Sequence, residues 1–269
     1  MRKLIGSVAA ALFVAPAFGH SPLTASGADR VAASLSLLLV CALWGWYWLG
    51  SRRTAASVWR RGLFHGTMIL TLLTVLGPLD SWAEDSSAAH MFQHMMMMAV
   101  IAPLIAWARP MPQFFSASGE LGRRCWQRAF AVTRYPMLCA WLHGAVIWFW
   151  HVPPLYMAAL EDPWLHVFEH ACFLVTAIWF WWAVLYSNAR QAPAALLALL
   201  FTLMHTGFLG ALLTFASEPW YPREAQSLQD QQLAGLIMWV MGGVPYIIGA
   251  FFVGSRWYRR LADRLMVND

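Results

Sequence analysis

Seven stretches of this chain are apolar for long enough to cross a lipid bilayer, and no other property narrows its fold so far. They lie near 31–49, 62–79, 88–108, 136–157, 164–186, 193–215 and 232–253, each close to the length a helix needs to traverse roughly 30 Å of hydrocarbon. A backbone in lipid satisfies its hydrogen bonds only inside a helix or a closed barrel, and these runs lack the alternation of barrel strands. The sequence predicts an all-α, polytopic integral membrane protein: a seven-helix membrane domain over 31–255, with no soluble domain and no internal repeat. Composition points the same way, because only 12% of the 269 residues are charged, where soluble domains hold about 25%.

Ahead of these runs, Arg2 and Lys3 precede an apolar segment from Leu4 to Ala15, and Ala17-Phe18-Gly19 places small residues before a cut. That pattern reads as a signal peptide over 1–19, too short to span comfortably. Cleavage there leaves His20 at the new N-terminus and 20–30 as a short extracytoplasmic segment. A retained N-terminal anchor is the alternative. The net charge of +5 raises nucleic acid as a partner, but the arginines fall in short clusters between apolar runs, and that role is excluded. Arg52, Arg53, Arg60 and Arg61 follow the first run, and Arg109, Arg123, Arg124, Arg128 and Arg134 the third. Arg190 follows the fifth, and Arg256, Arg259, Arg260 and Arg264 the seventh. Only Arg30 and Arg223 fall in the other loops, which hold most of the acids. The positive-inside rule then puts the mature N-terminus outside and a tail over 256–269 in the cytoplasm. The four cysteines, at 41, 125, 139 and 172, show no paired spacing and form neither a disulfide framework nor a zinc ribbon.

Histidine placement carries the chemistry. His90 and His94 begin the third run in AAHMFQHMMMM, His166 and His170 begin the fifth in WLHVFEH, and His151 ends the fourth in WFWHVPPLY. Each pair is spaced i, i+4, so its two rings share one helix face. Five imidazoles thus reach one membrane level from three spans, and His20 is a candidate to join them. Imidazole suits copper, zinc and iron, while thioethers favour Cu(I). Met97 and Met98, one turn below His94, tilt the expectation from zinc to copper, although methionine is also a flexible packing residue. Glu169, beside His170, is a candidate ligand or orienting acceptor. Asp230, opening the seventh run, reads either as a helix cap or as an acceptor that orients a ligating imidazole. Cys172, two residues after His170, reads as an inert buried thiol. His65, His143 and His205 sit elsewhere along the spans, as helix-linking hydrogen bonders or as a second site.

These segments carry a family resemblance. HMFQHMMMMAVIAPLIAWARP, WHVPPLYMAAL with HVFEHACFL, LYSNARQAP and DQQLAGLIMWVMGGVPY resemble the blocks of CtaG-type assembly factors of caa-type cytochrome c oxidase, over roughly 35–260. The resemblance implies a seven-helix protein of the bacterial cytoplasmic membrane, needed for making active haem-copper oxidase at its copper-insertion stage. His90, His94, His151, His166, His170 and Asp230 match its polar motif positions. The function expected is a non-enzymatic assembly factor that takes Cu(I) from a periplasmic donor and passes it to oxidase subunits. Two rivals stand beside it: a b-type haem protein held by transmembrane histidines, and a copper or cation transporter, for which no pair of broken helices is evident.

Overall fold

The structure, a computed structural model, describes residues 26–221 and 227–266. The expected signal peptide at 1–19 and His20 lie outside the described residues, as do Arg223 and Glu224. Among the described residues there is no strand. The helices are α1 (Gly27–Ser51), α2 (Val58–Leu76), α3 (Pro78–Asp85), α4 (Ser87–Ala108), α5 (Met111–Ala117), α6 (Glu120–Ala129), α7 (Pro136–Trp150), α8 (Pro153–Glu161), α9 (Pro163–Leu185), α10 (Ala192–Thr214) and α11 (Leu228–Met266). Six units are long and apolar enough to cross a membrane: α1, α2 with α3, α4, α9, α10 and α11. This is an all-α polytopic membrane protein.

The fourth expected run departs from the sequence reading. It divides at His151-Val152 into α7, only 15 residues long, and the separate α8. Pro153 and Pro154 explain the division, because proline cannot supply the N–H that a continuing helix needs. At about 1.5 Å per residue, α7 measures roughly 22 Å and falls short of the hydrocarbon core by itself. The helix α11 instead runs on to Met266, into the segment expected as a tail.

Two helices contain a widened turn, at Met96–Ile101 in α4 and Ile237–Met241 in α11. Each lies just ahead of a proline, Pro103 and Pro245. Within the first, the Ala102 N–H donates to the Met97 carbonyl five residues back, so the next donor in that pattern falls on Pro103, which has none. The Met98 carbonyl receives a side-chain donor instead, the Trp181 indole N–H at 2.9 Å. A kink that would leave a polar group stranded in lipid is thereby satisfied from α9.

Helices α10 and α11 approach closely through Gly210 and Gly235. A Cβ on Gly235 would lie 2.5 Å from the Gly210 carbonyl oxygen, and one on Gly210 would lie 2.8 Å from that of Gly235. Both obstacles are backbone, so neither can step aside. The absence of side chains at both positions permits this crossing, as close-packed membrane helices require.

The arginine-bearing connections gather at one end of the bundle. Arg53 donates to the Ser116 carbonyl (2.9 Å), Gln113 to the Thr54 carbonyl (3.2 Å) and Gln191 to the Arg134 carbonyl (2.8 Å). On the surface helix α6, hydrogen bonds from Arg123 and Arg124 hold the Glu120 carboxyl below its ordinary value.

Gly235→Ala should destabilise the detergent-solubilised protein by about 1–3 kcal/mol, the usual range for overpacking, read as a lowered thermal unfolding midpoint. Gly45→Ala, where a Cβ meets nothing within 4 Å, should leave the midpoint unchanged or raised.

Candidate metal centre

The first turns of α4 and α9 bring the two histidine pairs together at the end of the bundle opposite the arginines. The His90 and His94 Nε2 atoms lie 2.8 Å apart, and those of His166 and His170 lie 3.0 Å apart. Between the pairs, the His90 ring stacks on that of His166 with centroids 5.3 Å apart, and the His94 ring meets that of His170 edge-on at 5.3 Å. One donor atom each from His90, His94, His170 and Glu169 falls within a group no more than 4.8 Å across. All four residues are buried, while His166 is only partly so.

His151 reaches the same region from the end of α7. Its ring centroid stands 6.2 Å from Phe173, a ring that also touches His94 at 4.8 Å. The His151 Nδ1 donates to the Ile147 carbonyl at 2.7 Å, and since a carbonyl only accepts, Nε2 is the nitrogen with the free lone pair. That Nε2 is buried and has no hydrogen-bond partner among the described residues.

Above the rings, α8 supplies a cover that sequence reasoning missed. Tyr156 stacks on His90 at 5.6 Å and on Tyr221 at 3.9 Å, and the Tyr221 hydroxyl donates to the His151 carbonyl at 2.9 Å. Burial raises the Tyr221 pKa above that of a free phenol, so it stays a neutral donor. The two tyrosines follow the motif histidines in the sequence, but nothing in the sequence alone stacks them.

Asp230 matches neither role expected of it. Its own helix is capped by Ser227, whose hydroxyl accepts from the Asp230 N–H at 3.2 Å. The Asp230 carboxylate instead accepts from the Ser86 hydroxyl (2.8 Å), the Ser87 N–H (2.5 Å) and the Ala88 N–H (3.3 Å). It therefore caps the histidine helix α4 from across the bundle, where a negative charge also complements the helix dipole. One turn further on, Gln93 donates to Asp80 and to the Thr74 carbonyl, both at 2.9 Å. These contacts set the position and rotation of α4, and so of His90 and His94.

The methionines divide. Met97 packs in an apolar cluster with Tyr47, Phe64 and Met68, while Met91, Met95 and Met98 belong to the larger core around Phe173 and Phe180. Cys172 packs against that core. Three histidines serve other contacts. His65 accepts from the Trp44 indole at 2.7 Å, and His143 bonds Thr176 at 3.0 Å, each linking two helices. His205 lies against Gly144, where a Cβ would come within 2.9 Å of its Nε2.

The donor set fits a cation. Both Glu169 oxygens and the His94 Nδ1 are buried with no hydrogen-bond partner among the described residues. A carboxylate in that state is costly unless it holds a proton or faces a positive charge. Ligands of one ion at roughly 2 Å lie at most about 4 Å apart, so the group needs to draw in by less than about 1 Å. The adjoining cavity is about 30 Å³, lined by His166, His170, Ser36, Asp29 and Asp80. That is room for an ion or a water.

Asp230→Ala should cost about 0.5–2 kcal/mol, the usual range for a lost cap, measured as a lowered unfolding midpoint. Hydrogen exchange should rise first over Ser87–Met91. Asp230→Asn should lose less, since an amide oxygen still accepts.

The comparisons with known proteins bear on what such a centre serves. No curated protein and no solved structure matches the chain. A family model described as the cytochrome c oxidase caa3 assembly factor (Caa3_CtaG) matches residues 40–260. That stretch takes in α4, α7, α8, α9 and the start of α11, all the elements that build the histidine centre, and it is well over half of the chain. The protein belongs to the caa3-type cytochrome c oxidase assembly factor family.

Proposed function

We propose that this protein is a non-enzymatic assembly factor that holds Cu(I) at the buried histidine centre and hands it to the membrane-embedded copper site of a cytochrome c oxidase. The observation that carries the reading is the convergence of His90, His94, His170 and Glu169 on one small volume, inside a protein of an oxidase-assembly family. Three imidazoles suit Cu(I), and the carboxylate balances its charge. His166 and His151 stand beside the four as exchange ligands, and Asp230 acts as a positioning residue through α4.

The graded burial of the pair on α9 suits delivery. His166 is partly exposed and its Nε2 lies 3.0 Å from that of His170, so an ion can move from one imidazole to the next without losing all its ligands. A periplasmic copper donor would load the ion at His166, at the end of the bundle that the loop charges assign to the outside. An oxidase subunit would receive it by lateral contact within the membrane. The closeness of the four donor atoms, all within 4.8 Å of one another, favours an ion over a porphyrin as the cargo of this site.

Detergent-purified protein loaded with Cu(I) under reducing conditions should retain about one ion per chain, since one donor group of this size serves one ion. His90→Ala with His94→Ala should abolish retention, and His166→Ala should slow loading while leaving the final amount nearly unchanged. Undiminished copper in the double variant would refute the site. A Soret band at stoichiometric intensity would replace the copper reading with the haem one. Metal uptake into proteoliposomes would favour a transporter.

A further inference from the structure

At the arginine-bearing end, remote from the histidine centre, a groove of about 530 Å³ opens between α2, α4, α9 and α11. Its walls are apolar and include Pro103, Leu104 and Trp107 from α4 and Pro245, Ile248 and Phe252 from α11. Trp107, Ile248 and Phe252 are exposed in the isolated chain and so face lipid. Its rim carries Arg60, Arg109 and Arg256, and among the described residues no acidic one lines it.

Two of the three arginines are held in place. Arg256 donates to the Leu185 carbonyl and to the Ser187 carbonyl and hydroxyl, the latter two at 3.0 and 3.1 Å. Arg109 lies 4.1 Å above the Tyr186 ring, whose hydroxyl donates to the Ala106 carbonyl at 2.9 Å. Its backbone is left-handed, with φ of 51°, the one non-glycine case among the described residues. A bulky residue adopts that conformation only where its surroundings enforce it. The strain falls where α4 ends and the guanidinium turns back over the groove.

The depth of the groove matches one leaflet. Along α4 it extends from Arg109 to Ala99, and along α11 from Arg256 to Pro245. At about 1.5 Å per residue both helices give roughly 15 Å, half of a hydrocarbon core of roughly 30 Å. A cationic rim above an apolar wall of one leaflet's depth has the shape and charge of a molecule with an anionic head and an acyl tail. Basic pockets between transmembrane helices recognise acidic lipid head groups in this way.

We propose that this groove is a binding site for an acidic phospholipid, with the head-group phosphate at Arg60, Arg109 and Arg256 and an acyl chain between α4 and α11. Arg60 and Arg109 are exposed and make no contact with the histidine centre, so the site can be altered without touching the other.

Full-length protein in a neutral detergent, titrated with phosphatidylglycerol, with phosphatidylcholine of the same chains and with inorganic phosphate, tests the proposal by native mass spectrometry. Phosphatidylglycerol should bind at least about tenfold more tightly than either of the others, and more weakly as salt rises. Arg60→Ala with Arg109→Ala should weaken it by about tenfold or more, and Arg60→Gln with Arg109→Gln should do the same while keeping side-chain bulk. An unchanged unfolding midpoint without lipid shows that these variants fold. Equal binding of the two lipids, or undiminished binding in both double variants at an unchanged midpoint, overturns the site. Inorganic phosphate binding as tightly as phosphatidylglycerol overturns the lipid as its occupant.

Discussion

A carboxyl group buried beside three imidazoles has to hold a proton or face a positive charge, because neither water nor lipid can solvate a bare carboxylate there. In this protein the four side chains come from α4 and α9, all from the first eight residues of those helices. The surrounding architecture follows from holding them in that state. Tyr156 and Tyr221 close over the rings, Phe173 lies beneath His94, and the break between α7 and α8 brings His151 alongside. A proton on Glu169 or a bound cation would each resolve the electrostatics of this group, and the chain belongs to a family devoted to oxidase assembly.

The same demand for satisfied polar groups shapes the backbone. Two prolines, Pro103 and Pro245, each follow a widened helical turn, and the freed Met98 carbonyl is met by the Trp181 indole. Ser86, Ser87 and Ala88 start α4 on a carboxylate borrowed from α11. Such cross-helix satisfaction ties the orientation of the histidine helix to the seating of α11. That seating in turn depends on the Gly210–Gly235 crossing. A change at a glycine far from the rings can therefore act on the centre through three packed elements.

Much of the site was legible in the sequence, and for a simple reason. Spacing of i, i+4 forces two rings onto one helix face, and the rhythm of apolar runs fixes which ends of which spans share a membrane level. His90, His94, His166, His170 and Glu169 come together as that logic requires. The role of Asp230 was not legible, since a carboxylate in a first turn looks like a cap for its own helix and its partner here lies 144 positions away. The methionines illustrate the same limit: Met97 and Met98 are neighbours in sequence, yet they point into two different apolar clusters. Pro153-Pro154 did signal the end of α7, but their effect was hidden inside an apolar run that continues past them.

By itself the sequence determined a helical membrane protein, the pairing of its histidines, and their separation from its arginines, because each of these depends only on hydrophobic length, helical period and loop charge. Which helices touch, which carboxylate caps which terminus and which of the candidate donors share one small volume were decided by tertiary structure alone. Those outcomes depend on the rotation and depth of each helix against its neighbours, set by glycine crossings, widened turns and long-range hydrogen bonds, whose partners are distant in the chain and have no periodic signature.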